Sequence, residues 1–83
     1  MIYLIFTQAG FEDAKQSVLE STATLWLNNG ILSEGEIQQL SALGIRINIL
    51  AKSIDPTNER EIVTAIESIE TAYPDTELFV EYL

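Results

Sequence analysis

Apolar and polar residues along the chain follow two periods in turn. Ile2 to Phe6 is an unbroken apolar run rich in β-formers, the pattern of a strand covered on both faces within a parallel sheet. Thr7-Gln8-Ala9-Gly10 breaks it. Phe11 to about Ser21 then has helical spacing, with Ala14, Val18 and Leu19 forming an apolar stripe with Phe11. Glu12 and Asp13 fall in the first turn of that predicted helix, where the positive dipole end favours them. Thr22 to Leu27 is the second predicted strand and carries Trp26.

The next segment, Asn28-Asn29-Gly30-Ile31-Leu32, admits two readings. Asn-Gly between apolar runs is a strong hairpin signal. Ser33-Glu34-Gly35-Glu36 has the form of a capping box, which starts a helix instead. Ile37, Leu40 and Leu43 follow at helical spacing, and Gly44 suits the left-handed residue after a helix. A helix over roughly Glu34–Leu43 follows, and the loop before it joins a strand to a helix.

Ile45 to Leu50 is the third predicted strand, with Ile45, Ile47 and Ile49 alternating with Arg46 and Asn48. Asp55-Pro56 predicts a helix start, with Asp55 as the N-cap and Pro56 at the first helical position. Ile62, Ile66, Ile69 and Tyr73 form an i, i+4, i+7, i+11 stripe. Pro74 ends that helix near Tyr73. Leu78 to Leu83 is the last strand, with Glu81 inside it.

The order β-α-β-α-β-α-β predicts one α/β domain over residues 1–83, with three layers and a four-stranded, mainly parallel sheet. The first strand is the most uniformly apolar and belongs at the centre. The third and fourth carry polar residues and suit the edges. Strand order 3-2-1-4 follows, with the flavodoxin-like 2-1-3-4 as the alternative. In 3-2-1-4 right-handed crossovers put the third helix on the face opposite the other two.

Composition narrows the chemistry. With 83 residues, of which 47% are hydrophobic, the chain suits a packed domain that buries only roughly 60–65% of its unfolded surface. Association with a like subunit or a larger protein partner is therefore expected. Cysteine and histidine are both absent. Thiol chemistry, zinc-thiolate sites and Ser-His or Cys-His catalysis cannot be built from these residues. Thirteen Asp and Glu oppose four Lys and Arg, for a net charge of −9. The scattered cations Lys15, Arg46, Lys52 and Arg60 argue against nucleic acid and anionic membranes as partners. The apolar N-terminus is too short for a signal peptide or membrane span, so a cytoplasmic protein is expected.

Candidate chemistry is sparse. The carboxyl ends of the first two strands carry Thr7, Gln8, Gly10, Asn28, Asn29, Gly30 and Ser33. Ligands of open α/β sheets gather at that edge, so these residues form a candidate site for a small polar or anionic ligand. Ordinary turn and cap chemistry explains the same residues. Trp26, Phe79 and Leu83 are candidate interface residues, Trp26 being equally suited to a core. Glu59, Glu61, Glu67 and Glu70 fit no EF-hand spacing and read as a solvated helix face. No catalytic residue, metal site or cofactor is implied.

Leu25-Trp26-Leu27-Asn28-Asn29-Gly30-Ile31, the short helix after it, Gly44-Ile45-Arg46-Ile47-Asn48-Ile49-Leu50 and the acidic Asp55 together resemble the DsrE/DsrH-like family. These are small α/β proteins that include sulfur-relay subunits acting in tRNA thiolation. DsrH-type members have a similar strand ending in a polar residue, Gly and an aliphatic, then a helix and another strand. The resemblance covers roughly a third of the chain and ends at Asp55. It implies a parallel sheet and assembly with like or related subunits. It does not imply sulfur transfer, which needs a cysteine to carry the persulfide. A cysteine-free member would be an accessory or structural subunit, or something divergent. The expected function is thus a non-catalytic, acidic interaction module, with small-ligand binding at the strand ends as the alternative.

Overall fold

A computed structural model describes residues 1–81. Along them run β1 (Ile2–Ile5), α1 (Gln8–Ser21), β2 (Thr24–Leu27), α2 (Glu34–Ala42), β3 (Ile47–Ile49), α3 (Glu59–Ala72) and β4 (Leu78–Val80). The strands form one sheet in the order β3-β2-β1-β4, every pair parallel. This is the expected architecture, with 3-2-1-4 rather than 2-1-3-4. No helix among the described residues is long and apolar enough to cross a membrane.

Side chains alternate across the sheet and feed two separate cores. Ile5, Leu25 and Leu27 pack with Phe11 and Val18 of α1 and Leu40 of α2. Ile2, Leu4 and Phe6 pack with Ile62 and Ile69 of α3 and with Ile54. The third helix thus lies opposite the other two, as right-handed crossovers require. Leu4, Leu25 and Leu27 are completely buried, each contributing about 1.5–3 kcal/mol relative to exposure.

Local signals set most element ends. Ser33 and Glu36 form both bonds of the capping box, at 3.2 and 3.1 Å. Gly44 takes φ +88° just after α2, a conformation that glycine adopts without a Cβ clash. Other ends differ from the sequence expectation. The Thr7 hydroxyl caps α1 by accepting from Gly10 N at 3.0 Å, so the helix begins at Gln8, ahead of Phe11. Glu12 and Asp13 therefore lie beyond its first turn.

The N-cap of α3 is Asn58, whose side chain accepts from Glu61 N at 3.2 Å. Asp55 instead closes a turn by accepting from Thr57 N and Thr57 Oγ1. Strands β2 and β3 are shorter than expected. Thr22 ends α1 in a left-handed conformation before β2 can start. On β3, Ile45 is buried just before the strand but Ile49 is 42% exposed, because β3 is an edge. Tyr73 leaves the α3 stripe at the helix C-cap and is 46% exposed. β4 ends at Val80, so Glu81, expected within the strand, follows it; the expected continuation through Tyr82 and Leu83 falls outside the described residues.

Candidate functional site

The parallel strands bring their carboxyl ends to one edge, and the chain fills that edge with its own groups. Asn28 follows β2 and is only 6% exposed. Its Nδ2 donates to Phe6 O at 3.1 Å and to Ile54 O at 2.8 Å. Its Oδ1 accepts from Ile54 N at 2.8 Å. The side chain is a strut joining the ends of β1 and β2 to the loop before α3. Both ends of the amide are engaged in the protein itself.

A second internal contact lies where the strand order reverses, between β1 and β4. Glu81 follows β4 and turns its carboxylate onto the start of α1. Its Oε1 accepts from Phe6 N at 2.7 Å and from Thr7 N at 3.0 Å. Its Oε2 accepts from Thr7 Oγ1 at 2.5 Å. Open α/β sheets commonly bind anionic ligands at this position, against helix amides. Here a carboxylate from the far end of the chain occupies it. Gly10 serves this contact. A Cβ at Gly10 would fall on the Glu81 carboxylate, so the glycine gives clearance rather than an unusual backbone angle.

The structure thus joins Thr7 and Gly10 through Glu81, with Asn28 bonded beside them to Phe6. It does not gather the other predicted residues around a shared ligand position. Gln8 and Asn29 are exposed. Gly30 takes φ +86° in the turn after β2, and Ser33 caps α2. Sequence reasoning missed Glu81 because its partners lie 74 and 75 residues away. Its only trace in the sequence was a carboxylate inside an otherwise apolar final strand.

Of the candidate interface residues, Trp26 packs at the margin of the α3-side core, and its indole Nε1 is buried without a hydrogen-bond partner. Leu83 lies outside the described residues. Phe79 is 39% exposed on the other face of the sheet. It stacks on Tyr3 with ring centroids 5.0 Å apart and planes 24° apart. A groove of about 330 Å³ opens beside this pair, walled by Ala9, Asp13 and Ala14 of α1 and by Val80 and Glu81.

The two faces of the sheet are covered unequally. On one face α1 and α2 cover β1 and β2 but leave Ile49 of β3 and Phe79 of β4 partly open at the two edges. On the other face the cleft beside β3 is mixed, with Thr24, Arg46, Asn48 and Thr76 beside Met1, Ile2 and Tyr73. The open part beside β4 is aromatic. Compared with known proteins, the chain matches no family model, no curated protein and no solved structure.

Proposed function

We propose that this chain is a non-catalytic protein-interaction module that docks a partner on the β4 side of its sheet. One observation carries the reading: the stacked Tyr3–Phe79 pair lines an open groove between α1 and β4. Large apolar side chains left open together at a concave sheet edge suit a contact surface. Small-ligand binding at the strand ends is less well supported. A ligand there would have to displace Glu81 from Phe6 and Thr7, or Asn28 from Phe6 and Ile54. A subunit of a DsrE/DsrH-like assembly is one form that such a module takes.

Site-specific photo-crosslinking tests the reading. A benzophenone amino acid is introduced at Phe79 or, as a control, at Val63, which is 50% exposed on α3. In the source cell, position 79 should give one discrete adduct, homomeric or heteromeric, and position 63 none. The absence of an adduct at 79, or equal labelling from both positions, would overturn the assignment.

A further inference from the structure

Resting on that docking reading, we infer that the partner presents an extended segment carrying a cation, an apolar residue and a cation at every second position, so that all three share one face, and that this segment adds to β4 as a fifth strand. β4 is an edge of the sheet. Ile2 N bonds Glu77 O at 2.9 Å, and Glu81 N bonds Leu4 O at 2.9 Å. The odd-numbered residues of this segment therefore turn their backbone groups toward β1. Leu78 and Val80 turn theirs outward by the alternation of a β-ladder, and such an edge is a template for another strand.

The side chains set which strand fits. Residues opposite Glu77, Phe79 and Glu81 would project on the groove face, because directly opposed residues share a face. The groove offers Tyr3, Ala9, Ala14 and Phe79 to an apolar centre. Its charged lining residues are Asp13 and Glu81, with no cation among the described residues that wall it. The four cations line other clefts: Lys15 between α1 and α2, Arg46 beside Asn48, and Lys52 with Arg60 beside Ile54.

A second copy of this chain fits poorly. Antiparallel pairing of two β4 strands through both Leu78 and Val80 centres the two-fold axis on Phe79. Glu77 of each copy then opposes Glu81 of the other, and like charges directly opposed are destabilising. The same two carboxylates favour lysine or arginine at those positions. The complementary segment reads cation-x-apolar-x-cation, and this symmetric pattern fits in either strand direction.

The test uses the 83-residue chain, labelled for amide NMR, and two capped peptides of identical composition. Thr-Lys-Val-Phe-Val-Lys-Thr puts both lysines on the groove face with the phenylalanine. Thr-Val-Lys-Phe-Lys-Val-Thr puts them on the opposite face. The first should bind about fivefold to tenfold more tightly, from two cross-strand charge pairs. Its saturating shifts should centre on the Leu78 and Val80 amides. Phe79→Ser should abolish binding, with far-UV circular dichroism reporting the fold. Glu77→Lys, at an exposed position, should reverse the preference toward a peptide in which one lysine is replaced by glutamate.

Equal binding of both peptides, shifts scattered over the acidic surface, or no binding would each overturn the inference. Dimerisation without peptide that shifts the same amides would also overturn it, by naming a second copy as occupant. In each case an adduct from position 79 would leave the docking reading standing, whereas its absence would remove that reading as well.

Discussion

The contact between Gly10 and Glu81 predicts a mutation whose sign depends on its background. Gly10 lies inside α1, where alanine is ordinarily better than glycine by about 0.5–1 kcal/mol. In the native chain the added methyl group would occupy the Glu81 carboxylate position. Glu81 is a side-chain end and can leave, but leaving breaks its bonds with Phe6 N, Thr7 N and Thr7 Oγ1. Phe6 is 3% exposed, so its N–H loses a partner that water replaces poorly. Hydrogen bonds to charged groups contribute about 1.5–3 kcal/mol each when buried, and less at a half-buried carboxylate. A combined loss of about 2–3 kcal/mol leaves Gly10→Ala destabilising by about 1–2 kcal/mol after the helical gain. In a Glu81→Ala background the carboxylate nearest to the added methyl is gone, and Gly10→Ala should stabilise by about 0.5–1 kcal/mol. Urea unfolding followed by circular dichroism measures all four corners of the cycle, provided that the m-value stays constant. A coupling below about 0.5 kcal/mol is ordinary additivity, and it would show that Glu81 is not why position 10 is glycine.

Two further outcomes follow from the other polar contacts. Asn28→Ala strips partners from Phe6 O, Ile54 O and Ile54 N and should cost about 3 kcal/mol, a large share of the roughly 4–12 kcal/mol expected for a domain of this size. Asn28→Asp keeps the shape but aims a carboxylate at two carbonyls, and it should cost at least as much by the same unfolding assay. A loss under about 1 kcal/mol for either variant contradicts the strut. Asp55 accepts from the Thr57 hydroxyl and then the Thr57 amide, which together hold its carboxyl below the ordinary 3.8. Its folded value is depressed, so its contribution to stability is complete above pH 3.8 and disappears as pH falls through the lowered midpoint. A carbon-detected NMR titration should find that midpoint, and Thr57→Val should raise it. A midpoint at or above 3.8 rules out the Asp55–Thr57 contact in solution.

Much of the fold was legible because its signals are local. The Ser33–Glu36 box lies within four residues and forms as its sequence predicts. The apolar run at Ile2–Phe6 was sufficient to place β1 at the centre, and the polar residues of the third and fourth strands placed them at the edges. Competing local signals were harder to resolve. Asp55 and Asn58 both precede α3, and each can cap. Asn58 wins because Glu61 lies three residues on, supplying the amide it accepts from and a carboxylate for its Nδ2. Asn28 offered two sequence readings, turn former or ligand group, and its side chain instead bridges three segments of backbone. Nothing local marks that role, because Phe6 and Ile54 lie 22 and 26 residues away.

Glu81 links the closed strand ends to the open flank. In a parallel sheet the exposed amides at the start of a crossover helix attract an anion. This chain places a carboxylate there from its own last described segment. To reach it, residue 81 must lie on the same face as residue 79, since side chains of an extended chain alternate. The geometry that closes the strand ends therefore also turns Phe79 onto Tyr3, on the flank that α1 leaves open. Closure at one edge and an aromatic groove at the flank are two consequences of one strand register. Shifting β4 by a single residue would withdraw Glu81 from Thr7 and turn Phe79 toward α3, so the two features stand or fall together.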